Sequence, residues 1–382
     1  VGSKYAYYVG WFLTIIYYPC LTSVLSWLSA RYTLVFITSI APDFPLLGLG
    51  AAAGAETVLG PECMSLAMFY MCCAYAVNAL SPKLAGKLQV STTIIKLIPL
   101  FLMAVVGIIV GLANGTLANN FNTLADVGTT STSPLFASVC ATAFAYEGWI
   151  IATSINAELK DAKKNLPRAL VIGAIIIIAT YIFYYVGVAG GATNQELIDS
   201  GATVAFINVF GNVLGNILNL FIAISCIGTM NGLMLGCVRG LYSIAVRGRG
   251  PAPHVFSQID KETNMPHNSA IVGLLLCGFW GLYFFLANLA GTWSGPFVFD
   301  SSELPIITIY MLYLPIFVMW IKKATDETAM RRYVLPLLAI CGSLFMIYAS
   351  IMGHGIACFW YLIVFAAVMA VGFAFSKEKP IN

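Results

Sequence analysis

Lys96 stands in the run Ile94-Ile-Lys-Leu-Ile-Pro-Leu100, apolar on both sides. An ammonium in such surroundings costs several kcal/mol unless it faces a cavity or meets partners. It therefore reads first as functional, and only second as a side chain snorkelling to the nearer surface. The chemistry open to it is to carry a proton, or to stand as a fixed cation where a sodium ion would otherwise sit. A second group is Ala143-Phe-Ala-Tyr-Glu-Gly-Trp149. Gly148 weakens a helix there, and the Glu147 carboxylate has no cation beside it in sequence. A helix broken at mid-membrane exposes carbonyls and amides that can hold the ammonium and carboxylate of a zwitterion without a dedicated side-chain charge. Glu147 keeps three unranked roles: substrate-cation contact, proton site, or structural hydrogen-bonder. The plain alternative for the segment is a packed aromatic patch. In Ser225-Cys-Ile-Gly-Thr-Met-Asn-Gly232, Ser225 and Thr229 lie one turn apart on one helical face. Such hydroxyls bind sodium or, read alone, satisfy a neighbouring backbone. Asp300 and Glu303 read as a solvated helix N-terminus. The histidines sit in or near loops, far apart, and suggest no metal site. With no nucleophile beside a base, no metal set and no cofactor motif, no catalytic residue, metal or cofactor is expected, and an enzyme finds no support.

The elements that position these residues follow from composition. Of 382 residues, 60% are hydrophobic and 9% charged, against about a quarter charged in an ordinary soluble protein. The apolar residues come in runs of about twenty, long enough to cross hydrocarbon as helices. The hydropathy pattern predicts roughly ten spans, near 6–31, 62–81, 90–112, 134–157, 168–190, 204–238, 269–287, 297–321, 333–352 and 355–375. Alternate loops are basic, carrying Lys83 and Lys87, then Lys160 to Arg168, Arg239 to Lys261, Lys322 to Arg332, and Lys377 with Lys379. The positive-inside rule makes these cytoplasmic, with both ends of the chain inside. Arg31 and Lys96 alone stand outside the pattern. A net charge of +3 and the lack of a basic stripe with interleaved aromatics exclude nucleic acid as a partner.

Smaller signals add packing rather than chemistry. The pairs Gly107 and Gly111, Gly211 and Gly215, and Gly232 and Gly236 would let helices approach closely. The glycine-rich run 48–54 has no preceding strand and falls in an outside loop, so it is not read as a nucleotide loop. Cys72, Cys73, Cys140, Cys226, Cys237, Cys277 and Cys341 lie inside apolar runs and read as small buried hydrophobes without a disulfide framework. The first segment is a full span without a cleavage pattern, so no signal peptide is expected. A channel would need a continuous polar pore face, which is not evident.

Four stretches together resemble the amino acid-polyamine-organocation superfamily, and most of all the bacterial relatives of its L-type amino acid transporters. They are Phe144-Ala-Tyr-Glu-Gly-Trp149 with Glu158-Leu-Lys-Asp-Ala-Lys-Lys-Asn-Leu-Pro-Arg-Ala169, Asn78 through Leu97, Gly228-Thr-Met-Asn-Gly232 with Arg239, and Arg247-Gly-Arg-Gly-Pro-Ala-Pro253. The resemblance implies an all-α, five-plus-five inverted-repeat membrane fold. It assigns 1–112 to the remainder of the first repeat, 134–321 to the second and 333–375 to two additional helices. It also makes the first span look like the family's third, so two preceding helices, one carrying a Gly-Ser-Gly type carboxylate site, are expected to be missing. A chain without them is not expected to transport. Phe144, Ala145 and Glu147 would offer carbonyls to the substrate ammonium beside Gly148, with Tyr146 and Trp149 gating. Ile16, Tyr17 and Cys20 would face the side-chain pocket, and Lys96 would replace sodium beside Thr229 or Ser225. Glu147 departs from the glycine of many L-type relatives. The function implied is sodium-independent exchange of small to medium neutral amino acids, in the plasma membrane and with no obligatory protein partner; the alternative is proton-coupled uptake of cationic amino acids or polyamines.

Overall fold

The computed structural model describes residues 1–41, 61–123, 133–150, 161–290 and 293–379. The glycine-rich run 48–54 and residues 151–160, with the end of the fourth expected span and the start of the Glu158–Ala169 motif, lie outside the described residues. Every regular element among those described is a helix. In chain order the main ones are α1 (Ser3–Ile40), α2 (Glu62–Leu80), α3 (Lys83–Ala113), the short α4 (Pro134–Tyr146), α5 (Ala162–Gly191), α6 within Ala202–Ala245, α7 (His267–Leu289), α8 (Leu304–Lys323), α9 (Met330–His354) and α10 (Ile356–Ala374). All but α4 are long and apolar enough to cross a membrane. The reason is the backbone: hydrocarbon offers no partner for an open N–H or C=O, so each crossing segment must satisfy its own. On α5, Ile172, Ile175, Ile176 and Phe183 are 56–62% exposed, an apolar surface suited to lipid. Cys72, Cys73 and Cys341 are exposed on such faces as well, so they are not the buried hydrophobes that their apolar runs suggest.

The core is built around α1. Phe12, Ile16, Tyr17 and Cys20 on its middle turns are wholly buried, and α2, α6 and α7 pack against it. Its middle contains a π-helical turn, Leu13–Tyr17, just ahead of Pro19. Proline has no N–H to return to the carbonyl four residues back. That carbonyl is Ile15 O, and the Trp280 indole N–H of α7 donates to it at 2.8 Å. The proline thus loosens the helix and supplies the acceptor that ties α7 to it.

Small residues set the closest crossing. A Cβ on Gly187 would lie 2.1 Å from Met103 O, and one on Gly190 would lie 2.3 Å from Gly107 O, so α3 and α5 meet backbone to backbone. The Gly211–Gly215 pair behaves otherwise. Gly211 takes φ 78° and ψ 168°, which a residue with a Cβ rarely adopts, and interrupts Ala202–Ala245. Thr203 then reaches Asn219 at 3.2 Å, and a Cβ on Gly215 would touch Ile207. Those contacts require the chain to reverse at Gly211. The stretch 202–210 is a short helix folded back on the start of α6, and the sixth span begins after Gly211 rather than near 204.

At the end where the basic loops meet, Arg249 is buried, pairs with Glu378, and lies 5.9 Å from the Tyr7 ring centroid. Lys379 N donates to Gly248 O at 2.8 Å, pinning the C-terminal tail across the 247–250 loop.

The α3–α5 seam leads to a prediction. Gly187→Val forces a side chain into the Met103 carbonyl and should cost about 1–3 kcal/mol, as overpacking does, lowering the thermal unfolding midpoint of the purified protein. Gly173→Ala on the same helix, with nothing within 4 Å of the new Cβ, should leave the midpoint unchanged or slightly raised. Equal behaviour of the two variants would remove the seam as a packing constraint.

Candidate functional site

The helix carrying the aromatic motif stops at Tyr146. The Glu147 amide reaches back only to Phe144 O, at 3.3 Å, and the Gly148 amide is taken by Glu147's own Oε2 at 3.0 Å. Gly148 has φ +104°, so the chain leaves the helix through a conformation that glycine alone adopts without strain. Ending the ladder there leaves the last-turn carbonyls of α4 without helical partners. This break was expected at Glu147-Gly148.

What holds the broken end is α1. Tyr17 Oη donates to Glu147 Oε2 at 2.6 Å, while Glu147 Oε1 is buried with no partner among the described residues. Tyr146 and Trp149 splay apart. The Tyr146 ring meets Tyr181 of α5 edge-on at 5.1 Å, and Trp149 lies 5.5 Å from Tyr313 of α8. The Tyr313 hydroxyl is a second buried group without a partner. Phe144 packs inward and Ala145 is exposed. Ile16 and Cys20 flank Tyr17 on α1 but are fully buried and line neither of the two cavities described next.

The first cavity, of about 300 Å³, contains Lys96, Ser225 and Thr229 together with Tyr181. The crossing of α3 over α6 explains the convergence. A Cβ on Gly228 would lie 2.2 Å from Thr92 Oγ1, and Lys96, one turn beyond Thr92, is thereby set over the turn that carries Ser225 and Thr229. Thr229 Oγ1 donates to Ser225 O at 3.1 Å, which leaves its lone pairs for another group. No hydrogen bond or ion pair reaches the Lys96 ammonium among the described residues. The second cavity, of about 800 Å³, runs from Ile150 and Tyr18 beside the break to Arg249 and Glu378 at the basic end. Ile150, just past the break, lines the second space, whereas the first is separated from Tyr146 by the Tyr181 ring that it packs against.

Tyr181 and Tyr313 had no sequence argument of their own. The one signal for Tyr181 was Thr180-Tyr181, a polar pair directly after a run of isoleucines. Two readings of the opposite end need correction. Asp300 Oδ1 accepts from the Ser302 and Glu303 amides at 2.7 and 2.9 Å and closes the turn just ahead of α8. Glu303, however, turns inward to His354 Nε2 at 2.9 Å, with only 18% and 13% of the two side chains exposed, so it is not a solvated terminus. Nor does distance in sequence keep the histidines from a cluster, because His354 also meets Cys140.

The family model described as amino acid permease matches residues 1–375. Among curated relatives, the serine/threonine exchanger SteT of Bacillus subtilis (strain 168) is 27% identical over 389 residues, covering 99% of this chain and 80% of its own length. The Asc-type amino acid transporter 1 of Mus musculus is 27% identical over 72% of this chain and 48% of its own length. The b(0,+)-type amino acid transporter 1 of Rattus norvegicus is 26% identical over 76% of this chain and 57% of its own length. The chain spans about half the length of these two mammalian relatives.

Tyr17→Phe removes one of two donors to a buried carboxylate and should lower stability by about 1–3 kcal/mol. In a double-mutant cycle with Glu147→Ala, read by thermal unfolding, a coupling of at least about 0.5 kcal/mol is expected. Strict additivity would mean that the contact does not hold the break.

Proposed function

The chain belongs to the amino acid permease family, and from that premise we propose that it is a secondary active transporter, sodium-independent, exchanging small to medium neutral amino acids such as serine, threonine and alanine by alternating access. The observation that carries this reading is the interrupted α4 at Glu147-Gly148. It supplies carbonyl dipoles beside a cavity without using a side-chain charge, which suits the ammonium of any amino acid. Phe144, Ala145 and Glu147 would present those carbonyls, Gly148 would permit the break, and Tyr146 and Trp149 would gate. Ile16, Tyr17 and Cys20, buried on α1, would face the substrate side chain only once the packing around the break opens. Lys96 would act as a built-in cation over Ser225 and Thr229, doing electrostatically what a bound sodium ion does.

One relative's printed name gives serine and threonine as substrates and exchange as the mode, and that name supports the choice made here. The repeat division at 1–112, 134–321 and 333–375, the plasma membrane with the basic end cytoplasmic, the absence of enzymatic activity and independence from a protein partner belong to the same proposal. One observation favours a second reading. The unpartnered Glu147 Oε1 is an acceptor where many L-type relatives have only a glycine, and it could take a cationic side chain in a proton-coupled carrier.

The test is uptake by the full-length protein in proteoliposomes, with labelled serine, alanine and arginine. Serine uptake that needs internal amino acid and ignores sodium and proton gradients is the expected result. Gradient-driven arginine uptake without internal amino acid would establish the second reading, in which Glu147→Gly should abolish arginine uptake and spare serine. Lys96→Ala should cut exchange at least about tenfold while leaving membrane abundance unchanged. Full exchange by that variant would end the role assigned to Lys96.

A further inference from the structure

Cys140 of α4, Glu303 at the start of α8 and His354 at the end of α9 come together at the end opposite the basic loops. Their Sγ, carboxylate oxygen and ring nitrogen all lie within 4.8 Å of one another. The approach is built into the backbone. A Cβ on Gly353 would sit 3.0 Å from Ala137 N, and Ser133 N donates to Met352 O at 3.3 Å. The end of α9 is thus pressed against α4 just before Cys140. Glu303 is drawn in by the 2.9 Å bond from His354.

We propose that this trio is a binding site for a borderline transition-metal dication of the zinc type. Thiolate, imidazole and carboxylate are the donor types such ions take, at about 2.3 Å for sulfur and about 2.0–2.2 Å for nitrogen and oxygen. Tetrahedral geometry at those lengths places ligand atoms about 3.4–3.7 Å apart, so the present arrangement needs to contract by about 1 Å and to open the 2.9 Å His354–Glu303 contact. On binding, the Cys140 thiol gives its proton to solvent, and the imidazole releases the Nε2 proton it donates to Glu303, to Nδ1 or to solvent, and takes the metal on that nitrogen instead. Two anionic ligands then neutralise a dication exactly where a net charge would be costly, an advantage for a site with little water. Cys140 is fully buried, while His354 and Glu303 keep 13% and 18% of their side chains exposed, which gives an entry path from the α8 and α9 side. Asp300 is held by Ser302 and the Glu303 amide in the turn ahead of α8, so the fourth position is left to water. Occupied, the site would tie α4, the half-helix ahead of the break, to both α8 and α9.

The experiment is titration of the purified, chelator-treated full-length protein with cobalt(II), in a background with Cys72 and Cys73 replaced by serine. Expected are a near-ultraviolet thiolate-to-cobalt charge-transfer band and tetrahedral visible bands saturating at about one equivalent, lost on adding zinc(II), together with a metal-dependent rise in the unfolding midpoint. Cys140→Ser should abolish the charge-transfer band. Glu303→Gln, nearly isosteric, should weaken binding at least about tenfold and keep the metal-free unfolding midpoint close to that of the parent. Cys358→Ser should change nothing. Absence of the band in the parent, or binding of equal strength in Cys140→Ser and Glu303→Gln, would overturn the site. Neither readout depends on transport, so the outcome is independent of the function proposed above.

Discussion

The bond from Tyr17 Oη to Glu147 Oε2 ties α1 to the broken end of α4. A helix that stops inside an apolar span leaves donors and acceptors that hydrocarbon cannot satisfy, each costing several kcal/mol if orphaned. Here the Gly148 amide is answered by Glu147, and Glu147 is answered by α1. The break is tolerable because a fully buried tyrosine stands opposite it, and that tyrosine is placed by the π-helical turn ahead of Pro19. The same turn lets Trp280 reach Ile15 O, so the position of α7 and the stability of the broken segment depend on one local departure from α geometry. Glu147 Oε1 is left over, buried and without a partner among the described residues.

Close crossings do the complementary work of placing charge. Lys96 is not held by any ion pair among the described residues; it is aimed by the contact of Thr92 with Gly228, which brings α3 onto the turn bearing Ser225 and Thr229. An ammonium placed by packing, with hydroxyl oxygens nearby and no carboxylate partner, is energetically dear. That expense makes sense for a group that must stay available, as the proposed cation over α6 would have to.

Much of this architecture is readable before any coordinates. Runs of apolar residues separated by basic loops specify membrane helices because lipid leaves the backbone few alternatives, and Gly148 beside Glu147 marks the break for the same reason. Lys96, Ser225 and Thr229 are legible singly as polar residues out of place, yet that one cavity gathers them depends on the Thr92–Gly228 crossing, which spacing cannot show. The reversal at Gly211 escaped because hydropathy runs unbroken through 202–245 and a glycine in a membrane helix has packing as its commoner use. Glu303 reads as a solvated helix N-terminus and His354 as one of several histidines in or near loops, far apart in sequence; only the short turn at Gly355 and the pressure of Gly353 on α4 bring the two together.

The two ends of the molecule are closed by contacts of different exposure. At the basic end the Arg249–Glu378 pair is half open, since 66% of the Glu378 side chain is exposed. Only the carboxylate is solvated: Arg249 is buried beside Tyr7, so parting the pair would leave a buried guanidinium, and behind it lies the cavity of about 800 Å³ that reaches Ile150. At the other end Glu303 and His354 are largely shielded, with Cys140 beneath them and the α4–α9 backbones in contact. Separating a shielded hydrogen-bonded pair strands both polar groups. The Glu303–His354 pair is thus shielded on both sides and the Arg249–Glu378 pair on one. Opening the end away from the basic loops would have to part the α4–α8–α9 seam, and the three side chains gathered there are where that cost resides.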